Sequence, residues 1–292
     1  KITLSVEIIR NINALKSMQN DSSKGSNLGF IATMGALHEG HISLIKRGQK
    51  ECSQVIVSIY VNPTQFENSN DLINYPKSLD NDIDILKSLN IDFLFIPNHE
   101  LMYPNGLVSK TFDLDGIDEK LEGAMRPGHF QGVATAVDRL FELIQPDKAY
   151  FGLKDFQQVQ IIKKLSLLKG GTPEIIACKI IREDSGLAMS SRNSRLNVKE
   201  LKAAASIFKA LKFAEKEVKV FPAPPAALIR EMKSIINSTG LIKVEDITFA
   251  FSDNLDIISD PDFPLDHYNK KVHCFISAYA RDIRLIDNHF IC

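Results

Sequence analysis

Cysteine is scarce in this chain, and tryptophan is absent. The four cysteines, Cys52, Cys178, Cys274 and Cys292, stand far apart along the 292 residues. This spacing argues against a disulfide framework and against a zinc site built on cysteine pairs. Long apolar runs are missing as well, and none approaches the length that a membrane-spanning helix needs. We therefore expect no membrane partner.

Net charge is also nearly absent, at −1 for the whole chain. Without a basic excess there is no reason to expect nucleic acid or an anionic membrane surface as a partner. An anionic ligand would have to be held by local positive groups. The first residues, Lys1-Ile2-Thr3-Leu4, lack the charged-then-apolar layout of a secretory signal, so we expect a soluble, cytoplasmic protein.

Apolar strands alternate with amphipathic helices through residues 1–182. The pattern predicts strands at 29–34, 55–61, 93–96, 149–151 and 174–181. It predicts helices at 5–18, 41–52, 78–89, 130–144 and 156–168, with polar or irregular stretches at 20–27, 67–74 and 98–129. Such alternation predicts an α/β domain with a doubly wound parallel sheet.

The pattern changes after Arg182. Two helices are predicted at 199–218 and 226–237, separated by a proline-rich turn, and two strands at 244–251 and 272–278. Residues 183–292 therefore form a predicted smaller α+β domain.

Residues 33–41 carry two histidines, a carboxylate and two glycines on a predicted strand-to-helix turn. Ligands bind at such turns in open α/β sheets, because the strand's carboxyl end and the helix's N–H groups face one crevice. Gly35 and Gly40 would let the backbone approach a ligand, and His38 and His41 could donate to phosphate oxygens, which favours an ATP site. Two capping histidines remain an alternative. A zinc site is less favoured, because Glu39 does not occupy the metalloprotease position.

Polar groups also follow other predicted strands. They are the turn at 152–155, the loop at 189–192, the segment at 122–130 with Arg126 and His129, and the amides Asn62, Gln65, Gln157 and Gln158. Each signal is weak alone. Together they place polar groups at several strand ends of one sheet, the pattern of a composite active site.

Five stretches, in the same order and with similar spacing, resemble the pantothenate synthetase (pantoate–β-alanine ligase) family. They are residues 33–41, 61–66, 122–132, 150–155 and 190–193. The late run Arg284-Leu285-Ile286-Asp287-Asn288 matches as well, so the resemblance spans almost the whole chain.

The resemblance implies a Rossmann-like catalytic domain at residues 1–182 and a smaller C-terminal domain that lids the active site. In the wider nucleotidyltransferase group, residues 38–41 would correspond to the His-x-Gly-His element, and residues 189–192 to the mobile Lys-Met-Ser-Lys-Ser loop. That loop ends here in Arg192, so Lys154 would supply the second cation.

The implied reaction joins pantoate to β-alanine at the expense of ATP, through a pantoyl adenylate, and releases pyrophosphate and AMP. The implied catalytic residues are His38, His41, Lys154 and Arg192, with His38 as a proton donor. The implied ATP-binding residues are Met34, Gly35, His38, His41, Gly152, Leu153, Lys154, Asp155, Ile181, Met189, Ser190, Ser191 and Arg192. Those implied for pantoate and β-alanine are Asn62, Gln65, Gln158, Arg126 and His129, the last two near the pyrophosphate or the entering amine.

The family also implies Mg²⁺ that arrives with ATP, without an assigned side-chain ligand, and a homodimer formed through the N-terminal domain. Two features depart from the usual pattern: Ala32 replaces a common proline, and the lid segment at 67–74 is rich in asparagine. Another adenylyl- or cytidylyltransferase, a non-catalytic nucleotide-binding module and a metallohydrolase remain alternative functions. A small aminoacyl-tRNA synthetase is disfavoured, because the short C-terminal domain leaves little for tRNA.

Overall fold

The computed structural model describes residues 6–21, 27–66 and 69–292. The predicted loop at 20–27 and lid at 67–74 therefore lie partly outside the described residues, as do the first residues. Nine strands are described: β1 Glu7–Ile9, β2 Leu28–Thr33, β3 Gln54–Ile59, β4 Phe93–Phe95, β5 Lys148–Gly152, β6 Glu174–Cys178, β7 Lys243–Phe251, β8 Val272–Ala280 and β9 Ile283–Phe290.

Ten α-helices are described over the same residues. They are α1 Ile12–Asp21, α2 Glu39–Glu51, α3 Ser69–Ile73, α4 Leu79–Ser88, α5 His99–Met102, α6 Glu122–Met125, α7 His129–Ile144, α8 Phe156–Leu168, α9 Val198–Val220 and α10 Pro225–Asn237. Among the described residues, no helix is both long and apolar enough to cross a membrane.

The first six strands form one parallel sheet in the order β1-β4-β3-β2-β5-β6. The predicted doubly wound parallel sheet is thus confirmed. The chain builds outward from β2 in one direction through β3 and β4, and in the other through β5 and β6. Ligands bind at such a reversal, outside the carboxyl ends of the strands. The residues that follow β2, β3 and β5 are therefore well placed to form a site.

Apolar side chains of the sheet alternate between two cores. Phe30 and Ile56 pack on one face with α7 and α8, whereas Ile31 and Val57 pack on the other with α2 and α4. Because both faces of a parallel sheet are covered by helices, its strands read as nearly continuous apolar runs. For this reason β2 and β3 can be predicted from the sequence.

The last three strands form a separate antiparallel sheet in the order β7-β8-β9. Its buried residues, among them Phe249 and Ile276, pack with α9 and α10 around a third core. The predicted smaller α+β region is confirmed. It contains one more strand than predicted, because β9 was not recognised.

The predicted helix at 5–18 is wrong in its first part. Residues Glu7–Ile9 form β1, which pairs with β4 and buries Ile9 completely, and helix begins only at Ile12. Apolar residues three apart fit a helix, but here they fall on a strand followed by a helix.

The chain divides into two compact units. The N-terminal unit comprises Lys1–Asp118, Met125–Leu153 and Gln158–Lys179, and the C-terminal unit comprises Glu119–Ala124, Lys154–Gln157 and Ile180–Cys292. The C-terminal unit thus takes up two short segments that the predicted division at 182 leaves in the first domain. Each unit is described by itself below.

Candidate active site

The turn after β2 is held by a buried carboxylate. Gly35 and Ala36 adopt left-handed backbone conformations, with φ of +83° and +50°. Asp82 from α4 accepts hydrogen bonds from the Ala36 N–H at 2.9 Å and the Leu37 N–H at 2.8 Å. A Cβ at Gly35 would lie 3.0 Å from Asp82 Oδ2 and would strain an already positive φ, so glycine is required.

Asp82 was not among the site residues expected from the sequence. Its side chain is buried, and it also accepts from the Ser78 hydroxyl at 3.1 Å. The available signal was its position: it lies three residues after Leu79 and four before Leu86, on the apolar face of the predicted helix. A carboxylate on the apolar face of a helix can be buried only when it has hydrogen-bond partners, because burying an unpaired charge is energetically costly.

His38 and His41 cap the start of α2. His38 Nδ1 accepts from the Gly40 N–H at 3.1 Å, and His41 Nδ1 accepts from the His38 N–H at 3.3 Å. The two rings lie 4.1 Å apart between centroids. Because each Nδ1 accepts a hydrogen bond, the neutral imidazoles carry their protons on Nε2. Both histidines therefore cap the helix, as the capping alternative predicts.

The end of β3 leads into a short 3-10 helix, Pro63–Gln65. Asn62 is buried and its Nδ2 donates to Gln65 Oε1 at 3.1 Å. Gln65 Nε2 in turn donates to Met34 Sδ at 3.2 Å, which joins this turn to the turn after the neighbouring strand β2.

Arg126 and His129 converge on the main chain of Gln65. The Gln65 carbonyl oxygen accepts from Arg126 at 2.9 Å and from His129 Nδ1 at 2.8 Å. Since a carbonyl can only accept, Nδ1 carries the proton, and His129 Nε2 faces Arg126 at 3.2 Å. The structure thus brings these two residues together with Asn62 and Gln65. Their contacts with pyrophosphate or the amine remain predictions.

The turn after β5 contributes to both units. Gly152 and Leu153 belong to the N-terminal unit, as does the half-buried Gln158, while Lys154 and Asp155 belong to the C-terminal unit. Lys154 Nζ contacts Asp155 Oδ1 at 3.1 Å, and the Lys154 carbonyl accepts from Asn288 Nδ2 at 2.9 Å.

Gln157 has a structural function in the C-terminal unit. Its Nε2 donates to the Lys120 carbonyl at 2.6 Å, and its Oε1 accepts from the Glu122 N–H at 3.0 Å. The buried amide thereby fixes the segment Glu119–Ala124, which explains why Gln157 and Gln158, adjacent in sequence, differ in exposure.

The loop at 189–192 follows a short antiparallel turn. The Met189 N–H donates to the Ile181 carbonyl at 3.0 Å, and Arg182 pairs with Ala188. Ser190 Oγ then accepts from the Arg192 N–H at 3.3 Å and caps the 3-10 helix Ser191–Arg195.

The end of β9 supports both loops of the C-terminal unit. Asp287 accepts from two guanidinium nitrogens of Arg182, at 2.6 and 3.0 Å, while its neighbour Asn288 holds the Lys154 carbonyl. Burial raises the pKa of Asp287, although the hydrogen bonds from Arg182 act in the opposite direction. The sequence marked these two residues only through the family resemblance and gave them no role.

Comparison with known proteins gives one consistent family. The model of the family "Pantoate-beta-alanine ligase" matches residues 7–290. The pantothenate synthetase of Christiangramia forsetii is 42% identical over 276 residues, which cover 94% of this chain and 95% of that protein. The pantothenate synthetase of Thermodesulfovibrio yellowstonii is 41% identical, over 97% of this chain and 99% of that protein.

Solved structures agree. Pantothenate synthetase from Thermus thermophilus superposes with a TM-score of 0.87 at 32% identity, covering 98% of this chain and 99% of that one. Pantoate-beta-alanine ligase from Francisella tularensis, complexed with beta-gamma ATP and beta-alanine, gives a TM-score of 0.80 at 38% identity, covering 98% and 97%.

Proposed function

This chain belongs to the pantoate-beta-alanine ligase family, and we propose that it forms pantothenate through an adenylate handled by the residues described above. It is an ATP-dependent ligase of pantoate and β-alanine. The observation that carries this conclusion is the family match over residues 7–290, together with a relative solved with beta-gamma ATP and beta-alanine.

In the first step, the pantoate carboxylate attacks the α-phosphorus of ATP, and the bond to the bridging oxygen breaks to release pyrophosphate. Negative charge builds on the departing phosphates. Preorganised N–H donors and cations stabilise this charge, and removal of one such donor lowers the rate by about 100-fold or more. Adenylation gives the carboxylate, a poor electrophile, a good leaving group.

In the second step, the β-alanine amine attacks the acyl carbon of pantoyl adenylate. The carbon–nitrogen bond forms, AMP leaves, and the amine loses a proton. Arg126 and His129 are the residues that we assign near the pyrophosphate or the entering amine. What supports this is their position beside Gln65, whose carbonyl both of them contact.

In the N-terminal unit, His38 and His41 are assigned to the ATP phosphates. What supports this is their position at the start of α2, where their Nδ1 atoms accept from backbone N–H groups, so that Nε2 is the nitrogen that would donate to a phosphate oxygen. The helix N-terminus adds its own positive potential for an anion. His38 is assigned as the proton donor of the reaction. Met34, Gly35, Gly152 and Leu153 complete the nucleotide contacts proposed in this unit.

In the C-terminal unit, the proposed nucleotide contacts are Lys154, Asp155, Ile181, Met189, Ser190, Ser191 and Arg192. Lys154 is the cation whose backbone is fixed by Asn288, and Arg192 lies in the loop capped by Ser190. For pantoate, the proposed contacts are the amides of Asn62, Gln65 and Gln158, which suit hydroxyl and carboxylate groups.

Mg²⁺ is proposed as part of the nucleotide substrate. Within the described parts of the chain, no group of three or more His, Cys, Asp or Glu side chains is placed to hold a metal ion. A magnesium ion carried on the triphosphate would retain waters and would need few protein ligands. When bound, the ion neutralises phosphate charge. The same donor set gives no support to the metallohydrolase alternative.

Further proposals concern assembly and location. We retain a homodimer formed through the N-terminal unit, a cytoplasmic location, and the roles of residues 67–74 and of the C-terminal unit as lids. Analytical ultracentrifugation tests the dimer, because the measured molar mass should be twice the chain mass of 32.7 kDa.

The function is tested by incubating the purified chain with ATP, Mg²⁺, pantoate and β-alanine. We expect pantothenate, AMP and pyrophosphate in equal amounts, with no pantothenate when any substrate is omitted. Cytidylyl or adenylyl transfer to another acceptor, without pantothenate, would instead support a different nucleotidyltransferase.

A further inference from the structure

We propose that Tyr103 is a positioning residue that sets the affinity for pantoate by fixing which way the amides of Asn62 and Gln65 face. This inference rests on the proposed function, because it deepens the assignment of those two amides to pantoate. All the residues involved lie in the N-terminal unit.

The Tyr103 hydroxyl lies next to Asn62. It donates to Asn62 Oδ1 at 2.5 Å and lies 2.9 Å from the Thr64 hydroxyl. The Tyr103 side chain is buried, and burial raises the pKa of its phenol, so it remains a proton donor. Since Tyr103 follows α5, well separated in sequence from Asn62, this contact is formed only in the folded chain.

Asn62 Oδ1 accepts from the Tyr103 hydroxyl at 2.5 Å and from the Thr64 hydroxyl at 3.1 Å, and these hydrogen bonds help to set the orientation of the amide. A primary amide has one oxygen that accepts and one nitrogen that donates, and rotation by half a turn exchanges them. With Oδ1 engaged by Tyr103, Nδ2 of Asn62 faces Gln65 Oε1 at 3.1 Å and the Gly132 carbonyl at 3.3 Å. The Gly132 carbonyl can only accept, so the reversed Asn62 amide would place two acceptors against each other.

The orientation of the Asn62 amide also determines the orientation of the Gln65 amide. Because Gln65 Oε1 accepts from Asn62, its Nε2 is the end that faces Met34. The main chain of Gln65 is held independently, by Arg126 and His129 on its carbonyl. The side-chain amide is therefore the part whose direction depends on the Asn62 orientation, which Tyr103 holds through the shortest of the hydrogen bonds to Asn62.

The consequence is chemical. A fixed Gln65 amide offers N–H donors to an oxygen-rich substrate such as a hydroxy carboxylate. If the amide turned over, an oxygen would face the substrate oxygens and repel them. The phenol thus acts on substrate affinity through two amides, without contacting the substrate itself.

The test is the substitution Tyr103→Phe, which removes the hydroxyl and keeps the ring. Because Asn62 would lose the shortest hydrogen bond that holds its amide in this direction, we expect the KM for pantoate to rise about tenfold. The KM for ATP should stay within about twofold, and kcat at saturating pantoate should be largely retained. KM does not depend on the folded fraction, so the prediction holds even when Tyr103→Phe lowers stability.

Tyr60→Phe is the matched control. The Tyr60 hydroxyl lies 2.9 Å from His99 Nδ1 and, like Tyr103, its phenol pKa is raised by burial. It makes no contact with Asn62 among the described hydrogen bonds. We expect both KM values of this variant to match those of the wild type.

A double-mutant cycle with Asn62→Asp tests whether the effect of Tyr103 on the KM for pantoate acts through Asn62. Aspartate still accepts from Tyr103 but cannot donate to Gln65 Oε1, so Asn62→Asp should itself raise the KM for pantoate. Adding Tyr103→Phe should then raise it no further, because both changes break the same chain.

The inference would be overturned if Tyr103→Phe left the KM for pantoate unchanged. It would also be overturned if the effects of Tyr103→Phe and Asn62→Asp on this KM multiplied in the double variant. Neither result would affect the proposed function. A wild-type chain that forms no pantothenate would instead overturn the function.

Discussion

At the scale of single residues, this site depends on buried polar side chains that hold other groups in place. Asp82 shows the principle most simply. Its two oxygens accept from two consecutive backbone N–H groups and so fix the left-handed turn that precedes His38. A carboxylate satisfied in this way stabilises the turn, whereas a group that leaves one N–H unpaired destabilises it.

Asp82→Asn is therefore expected to be destabilising. One carboxylate oxygen becomes an NH₂ group that faces a backbone N–H, so the free energy of unfolding should fall by about 1–3 kcal/mol. Adenylation should slow as well, because the turn carries His38. Urea unfolding and product formation measure the two effects.

Asp84→Asn is the control for Asp82→Asn. Asp84 lies on the same helix with its side chain 76% exposed, so its substitution should change stability by less than about 0.5 kcal/mol. Equal effects of the two substitutions would contradict the role given to Asp82.

Lys154→Ala should separate activity from stability. The substitution removes a proposed phosphate ligand, so the adenylation rate should fall by about 100-fold. Its ion pair with Asp155 is solvent-accessible and contributes less than about 1 kcal/mol. Lys148→Ala, at the opposite end of β5, serves as the control and should leave the rate unchanged. Parallel losses of thermal stability and activity in Lys154→Ala would count against this account.

The sequence indicated the residues that carry polar groups at the strand ends, but not those that support them. His38, Asn62 and Gln65 were found because they follow apolar runs. Asp82 and Tyr103 act through hydrogen bonds to residues more than forty positions away, and spacing does not encode such pairings. Hydrogen-bond direction becomes visible only when the fold is known.

At the scale of elements, a close approach of α7 to the turn after β3 builds the pantoate side of the proposed site. Gly132 in the first turn of α7 makes this approach possible: a Cβ there would lie 2.4 Å from the Thr64 carbonyl oxygen. Backbone cannot yield as a flexible side chain can, so the helix would have to move.

Gly132→Ala should accordingly lower the free energy of unfolding by about 1–3 kcal/mol, because the added methyl overpacks the contact. It should also raise the KM for pantoate. Gly48→Ala in α2 is a matched helical control, since its Cβ would meet neighbours at 3.4–3.5 Å. There the helix propensity of alanine should leave stability unchanged or raise it by up to about 1 kcal/mol. The opposite ranking would contradict the packing described.

Strands with a long apolar run are predictable from the sequence, whereas two of the edge strands, β1 and β9, are not. The strands β2 and β3 are mostly apolar, and their predicted bounds lie within two residues of the observed ones at each end. By contrast, β1 spans three residues at the sheet edge and was assigned to a helix, and β9 mixes buried apolar with polar residues such as Asp287. In β9 the interior position is taken by a carboxylate, which breaks the strand pattern.

At the scale of the whole molecule, the C-terminal unit carries a pH dependence. Burial lowers the pKa of His273 to about 4 from its ordinary 6.5, with a smaller contribution from His289. Above pH 6.5 the residue is neutral in both folded and unfolded chains. Between 6.5 and 4 only the unfolded chain takes up the proton, so this residue reduces stability as the pH falls.

His273→Phe should remove that contribution while keeping a ring beside Phe156 and Phe275. The free energy of unfolding of the wild type should fall relative to the variant as pH drops from 6.5 to 4, by at most about 1.4 kcal/mol per pH unit. Urea unfolding across this range measures the difference. A constant gap between the two proteins would contradict the assignment.

The division into units shows the limit of prediction at this scale. The change of pattern after Arg182 predicts a boundary at residue 182, and the last segment of the C-terminal unit begins at Ile180. The segments Glu119–Ala124 and Lys154–Gln157 join that unit through tertiary contacts, such as those of Gln157 with Lys120 and Glu122. The local spacing of apolar residues along the sequence does not predict such contacts.

The proposed mechanism requires that the chain activates pantoate as an adenylate before the amine enters. Exchange of labelled pyrophosphate into ATP, measured with pantoate and Mg²⁺ but without β-alanine, tests this step alone. We predict exchange that requires pantoate and that falls strongly in Lys154→Ala. Folded wild-type protein that forms pantothenate yet shows no pantoate-dependent exchange would contradict the adenylate mechanism.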